Sequence, residues 1–292
     1  MAERRLDNFL LSELKGMPRT RVYRLIRSGE VRVNKGRAKP GYRLVAGDEV
    51  RIPPHNRVEQ VVASITPARA DWILQHVIYE DQVLLVLDKP SGVAVHGGSG
   101  ISLGAIELLR AARPDAHFLE LVHRLDRDTS GCLLVAKKRS ALRRLHEQFR
   151  ETNVAKRYVA LLHGRWQGGD RWVEYPLEVT HRQNGERHVR VNDAGKQARS
   201  HFSVRQNFSD HCLMNVRIAT GRTHQIRVHA EAIGYPIAGD TRYGSDAPNP
   251  AGLKRLFLHA ESLKFSHPDS GDECEFSAPI DPGLQNVLEK LS

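Results

Sequence analysis

The sequence contains few cysteines and no long apolar run. Its three cysteines, Cys132, Cys212 and Cys274, are widely separated, so there is no CxxC pair and we expect neither a disulfide framework nor a cysteine-based zinc site. The longest apolar runs, such as Val83–Leu87, have five residues, whereas a membrane helix needs about 18 to 20. The first residues lead into charged side chains rather than into the apolar segment of a secretory signal. We therefore expect a cytoplasmic protein.

Motifs that bind common cofactors are also missing. There is no GxxxxGK[ST] loop and no GxGxxG after a strand, so nucleoside triphosphates, dinucleotides and S-adenosylmethionine have no obvious site. Among the 15 histidines, His224 and His229 are five residues apart and would diverge on a helix. His123, Asp126 and Asp128 could form a small cluster, but we do not expect them to form a complete metal shell. We expect no metal and no cofactor.

Positive charge is concentrated at the start of the chain. The net charge is +10, from 44 basic and 34 acidic residues. Residues 1–54 hold 13 of the basic and 6 of the acidic residues, and so carry most of the excess. A small basic segment in front of a larger, nearly balanced one favours a polyanion-binding unit. A merely solvated basic surface is the alternative.

The hydrophobic pattern predicts two domains. Residues 1–54 show a helix–helix–strand–strand pattern, residues 55–76 are polar and are predicted to be a linker, and residues 77–292 form the larger domain. In the larger domain, strands and helices do not alternate regularly. We therefore predict an α+β fold with a mixed, largely antiparallel sheet flanked by helices. Strands are predicted over residues 83–87, 120–122, 131–137, 157–162, 198–204, 213–218 and 256–265, and helices over residues 103–112, 140–151 and 223–233.

The densest polar stretch, residues 123–131, lies between two apolar strand candidates. It could be an ordinary hairpin loop, but it is more polar than a turn requires, and reactive groups often lie on loops held by rigid strands. Between Arg124 and Arg127, the carboxylate of Asp126 is expected to stay ionised, which suits a nucleophile or a base. Asp126 and Asp128 would point the same way on an extended loop, which argues against a glycosidase pair.

This stretch resembles the H-R-L-D-x-x-T-S-G motif of the RluA-type pseudouridine synthases. Further blocks in the same order resemble that family: residues 87–92, 155–161, 220–229, 239–244 and 256–260. Residues 5–7 and 24–34 resemble an S4 RNA-binding domain, although the glycine that often precedes the first Arg-Leu-Asp is absent. The resemblance covers the whole chain.

The resemblance implies that uridine in RNA is converted to pseudouridine, a reaction that requires neither a redox cofactor nor a metal. It implies that Asp126 is the ionised catalytic group, which either adds to the sugar or abstracts a sugar proton. Arg227 matches the arginine that pairs with this aspartate, and Tyr158 matches the tyrosine that lies against the target base. The base has to be flipped out of its helix. Arg124 would fill the vacated stack or hold a phosphate, and Leu258 would line the pocket or simply pack in the core.

The predicted site residues also have plainer interpretations. Arg227 could pair with Glu231, one helical turn further on. Tyr158 could be an ordinary buried aromatic residue, and Arg124 could form a structural ion pair. We interpret His123 as a structural residue that anchors the loop by hydrogen bonding, and not as a general base.

The basic N-terminal segment is then predicted to bind the phosphates of folded RNA. The candidate RNA-binding residues are Arg5, Arg21, Arg24, Arg27, Arg32, Lys35, Arg37 and Lys39. We expect the partner to be 23S ribosomal RNA or a large-subunit assembly intermediate, and we expect a monomer. Three alternatives remain: a transfer-RNA pseudouridine synthase, a non-catalytic ribosome-assembly factor, and an S4-fused RNA methyltransferase, for which the cofactor loop is missing.

Overall fold

The structure is a computed structural model. It describes residues 4–14, 19–53, 70–97, 103–181, 187–244, 246 and 248–292. The chain divides into two compact units between residues 63 and 64. None of the described helices is long and apolar enough to cross a lipid bilayer.

The described part of the first unit consists of two helices followed by two short strands, as predicted. They are α1 (Leu6–Glu13), α2 (Arg19–Ser28), β1 (Arg32–Val33) and β2 (Val50–Arg51), and the strands pair in antiparallel fashion. The apolar side chains that recur at helical spacing form its core: Leu6, Leu10, Leu14, Val22, Leu25 and Ile26. Burial of this apolar face stabilises helices that would be too short to persist alone.

A buried carboxylate connects the two helices of this unit. Asp7 accepts hydrogen bonds from the guanidinium of Arg5, at 2.8 and 3.1 Å, and from the Tyr23 hydroxyl on α2, at 2.8 Å. The hydrogen bond from Arg5 is the main reason why the pKa of Asp7 is lowered to about 2. The Arg-Leu-Asp block therefore has a structural role, and the predicted RNA-binding residue Arg5 is already paired with a carboxylate.

The second unit is built on a large sheet. Its strands are β3 (Val77–Glu80), β4 (Leu84–Lys89), β5 (Glu120–Leu121), β6 (Ser130–Ala136), β7 (Ala155–His163), β8 (Arg171–Val173), β9 (Leu177–His181), β10 (Arg187–Val191), β11 (Ser200–Asn207), β12 (His211–Ile218), β13 (Leu258–Ser266) and β14 (Glu273–Ser277). Its helices are α3 (Ala105–Ala112), α4 (Arg139–Arg150), α5 (Gln225–Ala232) and α6 (Pro282–Leu291), with 3-10 helices at Asp71–His76 and Pro250–Gly252.

The sheet has the order β3-β4-β6-β13-β7-β12-β11-β8, with β5 on β6 and β14 on β13, while β9 and β10 form a separate hairpin. Among the strand pairs of the described residues, only β6 and β13 run parallel. There Gly131 lies opposite Ala260 with a φ of +106°, and a Cβ atom would collide with the Ala260 carbonyl oxygen. The predicted α+β fold with a mixed, largely antiparallel sheet is confirmed.

Strand β7 is buried on both faces of the sheet. Tyr158, Ala160 and Leu162 belong to one apolar cluster, and the alternate residues Val159 and Leu161 belong to another. Successive side chains of a strand point to opposite faces, so this alternation assigns each cluster to one face. Helix α3 packs in the cluster that contains Tyr158, and α6 packs in the other.

The structure differs from the sequence prediction at the end of the proposed linker. Most of residues 55–76 lies outside the described residues, but Asp71–His76 forms a 3-10 helix whose Ile73 is fully buried in the core of the second unit. This segment is therefore part of the second unit. It was assigned to the linker because residues 55–76 as a whole are polar, with too few apolar residues to form a core of their own.

Candidate active site

The predicted catalytic aspartate lies on the loop between β5 and β6, which we call the aspartate loop (residues 123–129). The loop is held by the turn that follows β4. Both the side-chain amine of Lys89 and the backbone N–H of Gly92 donate to the carbonyl oxygen of Arg127, at 3.0 and 2.9 Å. The block at residues 87–92, which contains Lys89 and Gly92, thus fixes the backbone next to Asp126.

Lys89 is a buried cation with three hydrogen-bond partners. Its Nζ atom donates to the carbonyl oxygens of Pro90 at 2.8 Å, Val93 at 2.8 Å and Arg127 at 3.0 Å. Three acceptors match the three N–H donors of an ammonium group. Burial lowers the pKa of Lys89 to about 7, while nearby carboxylates act in the opposite direction. A functional role for this residue was not predicted from the sequence.

Arg227 on α5 is buried, but its hydrogen-bonding partner is not the predicted one. Its Nε and Nη2 atoms each donate to a carboxylate oxygen of Asp240 at 2.7 Å, rather than to Asp126 or Glu231. Burial by itself would lower the pKa of Arg227, but the hydrogen bonds and charge of Asp240, together with the charge of Asp126, raise it. The expected direct pairing with Asp126 is therefore corrected: Asp126 acts on Arg227 through its charge.

Asp240 requires this partner because its side chain is fully buried. The same carboxylate accepts the backbone N–H groups of Arg242 at 2.9 Å and Tyr243 at 3.0 Å. Burial acts to raise the pKa of Asp240, but the bonds from Arg227 and the backbone lower it. A buried carboxylate with no cation would be very costly. Asp240 and Arg227 thus form one rigid unit of the site.

Asp126 is mostly enclosed, with its side chain 24% exposed. Its Oδ2 atom lies 4.0 Å from Nε2 of His224, the residue that precedes α5. Its charge also acts on Tyr158 and Arg227. The structure therefore brings together the three residues that were predicted to be catalytic, although no hydrogen bond is described between Asp126 and the other two.

Tyr158 and Leu258 lie in the same buried cluster, on adjacent strands β7 and β13. Tyr158 is 8% exposed. Burial, and then the negative charge of Asp126, raise the pKa of the Tyr158 hydroxyl above its ordinary value. Tyr158 is therefore a neutral phenol at physiological pH.

His123 and Arg124 begin the aspartate loop and differ in environment. His123 accepts the backbone N–H of Leu134 at its Nε2 atom, at 3.0 Å, and stacks on Phe149 at 5.1 Å. Burial lowers the pKa of His123 to about 4, so the ring is neutral. The predicted anchoring role of His123 is confirmed. Arg124 is exposed, and its contact with substrate stays a prediction.

His224 is a residue of the site that the sequence analysis considered only as a metal ligand. Its backbone is left-handed, with a φ of +52°, and its Nδ1 atom lies 2.8 Å from the Tyr243 hydroxyl. Non-glycine residues adopt this conformation rarely. The signal available in the sequence was its place inside the Gly-Arg-Thr-His-Gln block, directly before the helix that carries Arg227.

The predicted RNA-binding residues of the first unit are largely exposed. Exposed side chains are those of Arg5, Arg24, Arg27, Arg32, Lys35, Arg37 and Lys39, whereas the side chain of Arg21 lies outside the described residues. We call Arg24, Arg27, Arg32, Lys35, Arg37 and Lys39 the basic cluster. Arg32 and Arg37 donate to the carbonyl oxygens of Gly29 and Ser28, at the end of α2, at 3.3 and 3.4 Å. Cations are favoured at this end of a helix.

Comparison with known proteins gives two family matches. Residues 83–232 match the family described as RNA pseudouridylate synthase, and residues 4–50 match the S4 domain. The chain is 53% identical to ribosomal large subunit pseudouridine synthase C of Escherichia coli (strain K12), over 99% of this chain and 93% of that protein. The protein of the same name from Haemophilus ducreyi is 52% identical, over 99% of this chain and 92% of its own length.

Solved structures of two human proteins have a similar fold. The human RNA pseudouridylate synthase domain containing 1 aligns with a TM-score of 0.60 and 27% identity, over 71% of this chain and 85% of that one. The human RNA pseudouridylate synthase domain containing 4 aligns with a TM-score of 0.64 and 23% identity, over 77% of this chain and 96% of that one. At this identity the second likeness concerns the fold.

Proposed function

This chain belongs to the RNA pseudouridylate synthase family, and we propose that it isomerises specific uridines of 23S ribosomal RNA to pseudouridine. The observation that carries this proposal is the enclosed carboxylate of Asp126, on a loop fixed by Lys89 and beside the buried Arg227–Asp240 pair. The relatives that match over 99% of the chain are named for the large ribosomal subunit, which supports the choice of RNA.

The reaction requires one bond to break and another to form at the same sugar carbon. The N1–C1′ bond breaks, the uracil turns, C5 bonds to C1′, and the proton on C5 is released while N1 regains one. In the proposed mechanism Asp126 acts at the sugar, either by adding to C1′ or by taking a sugar proton. Fixed charges in a site of low polarity stabilise such charge changes more than water does.

We assign distinct roles to the other residues of the site. Arg227, held in place by Asp240, keeps positive charge next to Asp126. Tyr158 lies against the target base as a neutral phenol and can hydrogen-bond to it. Because a paired base is out of reach, the nucleotide is flipped out of its helix, at a cost of a few kcal/mol. The exposed Arg124 takes the place of the base or binds a phosphate, and Leu258 lines the pocket.

We further propose that residues 1–54 form the RNA-binding domain, residues 55–76 a linker with the exception of the packed segment at its end, and the remaining residues the catalytic domain. The exposed basic cluster supports binding to RNA phosphates by charge. The substrate is 23S RNA or a large-subunit assembly intermediate, and the protein acts as a cytoplasmic monomer in ribosome biogenesis.

The purified protein tests this proposal on RNA labelled with tritium at C5 of uridine. The substrates are 23S RNA and transfer RNA from a strain that lacks the protein, so that the target uridines are unmodified. We expect tritium release from 23S RNA and new pseudouridines at a few positions in it. Release from transfer RNA alone would identify a transfer-RNA synthase. Binding to 23S RNA without release from either substrate would identify a non-catalytic factor.

A further inference from the structure

His224 is held in an unusual conformation at the start of α5. The preceding turn is fixed by Gln225, whose Oε1 atom accepts the backbone N–H of Arg222 at 3.0 Å and the hydroxyl of Thr220 at 2.7 Å. His224 then adopts the left-handed backbone conformation, with a φ of +52°. Such conformations are uncommon outside glycine and cluster at functional sites.

The hydrogen bonds of Tyr243 determine which ring nitrogen of His224 carries the proton. The Tyr243 hydroxyl oxygen accepts the backbone N–H of Val189 at 3.0 Å, and it lies 2.8 Å from Nδ1 of His224. The Tyr243 side chain is buried, and among the described residues Nδ1 of His224 is the only acceptor within reach of its hydroxyl proton. Because buried hydroxyl groups are hydrogen-bonded, the hydroxyl donates its proton to Nδ1. The ring is then neutral with its proton on Nε2.

This tautomer directs an N–H group at the predicted catalytic carboxylate. Nε2 of His224 lies 4.0 Å from Oδ2 of Asp126. The opposite tautomer would point a lone pair at a negative charge. Burial, opposed by the charge of Asp126, lowers the pKa of His224; the other charged groups acting on the ring are Arg227, Arg242 and Asp240. The neutral form therefore predominates at physiological pH.

We propose that His224 is a positioning residue for Asp126, and that Tyr243 sets the tautomer which makes this possible. The distance of 4.0 Å closes to a hydrogen bond when RNA fills the site, since catalytic hydrogen bonds are often long in the free enzyme. His224 then occupies one carboxylate oxygen of Asp126 and leaves the other to act at the sugar. This inference rests on the proposed isomerisation.

Substitutions at His224 test this role through the rate of the chemical step. We expect His224→Ala to slow single-turnover tritium release by about ten- to hundred-fold, the range for loss of a hydrogen bond to a charged group. RNA affinity should change little, and the variant should remain folded at the assay temperature, although the Tyr243 hydroxyl loses its acceptor. His224→Gln keeps an N–H donor and should recover part of the rate. A normal rate of tritium release in His224→Ala would overturn the proposal. So would a slower rate that is fully explained by weaker RNA binding or by unfolding of the variant.

The tautomer can be tested without activity, in protein labelled with 15N at histidine. The His224 resonances are identified from their absence in His224→Gln. We expect a protonated Nε2 and an unprotonated Nδ1 in the wild type, and a mixture of tautomers in Tyr243→Phe, which should also release tritium more slowly. Tyr175→Phe is the matched control and should match the wild type. Protonated Nδ1 in the wild type would overturn the inference, whereas failure of wild-type tritium release would instead contradict the proposed function.

Discussion

The two units of this chain use their charged residues in opposite ways. The basic cluster of the first unit is exposed to solvent. In the second unit, Lys89, Arg227 and Asp240 are buried and hydrogen-bonded close to Asp126. Exposed cations bind phosphates by charge, in a way that depends on salt, whereas buried and fixed charges stabilise a reacting group. We therefore expect the first unit to contribute RNA affinity and the second unit to perform the chemical step.

The largest effect on stability is expected from separating the buried pair. Arg227→Ala leaves Asp240 buried without its cation, which should lower the free energy of unfolding by about 3–5 kcal/mol. Arg157→Ala is the control, because Arg157 forms an exposed pair with Glu275 at 3.4 Å and such pairs contribute about 0–1 kcal/mol. Urea unfolding measures both. Equal losses of unfolding free energy in the two variants would contradict the expectation that the buried pair stabilises the fold more than the exposed pair.

A smaller loss, which depends on pH, is expected at Lys89. Lys89→Met removes the Lys89 donor from the carbonyl oxygens of Pro90 and Val93 and one of the two donors from that of Arg127, and should lower stability by about 1–3 kcal/mol. The folded-state pKa of about 7 is below the ordinary value of 10.5. As the pH rises, the folded protein loses this proton first, so the wild type should gain stability relative to the variant between about pH 7 and 10.5. The free energy of unfolding of both proteins, measured across this pH range, checks this expectation. A difference between them that does not change with pH would contradict a buried lysine that titrates in this range.

The smallest effect is expected from the basic cluster, and it concerns binding. In Arg24→Gln/Arg27→Gln, RNA affinity should fall, and the slope of log K against log salt should become shallower by about 1 for each phosphate contact that is lost. The rate at saturating RNA should not change. Lys264→Gln serves as the control, since Lys264 is paired with Glu273 at 2.7 Å in the second unit. A lower rate at saturating RNA would show that the basic cluster also affects the chemical step, contrary to this prediction.

The sequence was sufficient to predict the fold class and the order of the blocks that build the site. Helical spacing located α1 and α2, and apolar runs located β4, β6 and β7, because these elements bury a regular face. Strands β3, β8, β9, β10 and β14 and helix α6 were missed. The missed strands have only three to five residues each, too few to establish a period of two.

The contacts of the site were less predictable than its residues. Asp240 is 13 positions beyond Arg227, and it becomes its partner only through the turn that follows α5. Helical spacing alone would have favoured Glu231. The partners of Lys89 are backbone carbonyl oxygens. Because every residue has one, no pattern of side chains in the sequence predicts these contacts.

The most direct test of this account compares two aspartates on the same loop. Asp126 is mostly enclosed, whereas Asp128 is 43% exposed and paired with Arg127 at 3.2 Å. At saturating RNA, Asp126→Asn should release no detectable tritium from C5-labelled uridine while RNA affinity stays within about twofold, a difference below about 0.4 kcal/mol. Asp128→Asn should keep most of the rate. Continued release by Asp126→Asn, or loss of release in Asp128→Asn alone, would contradict the assignment of the chemistry to Asp126.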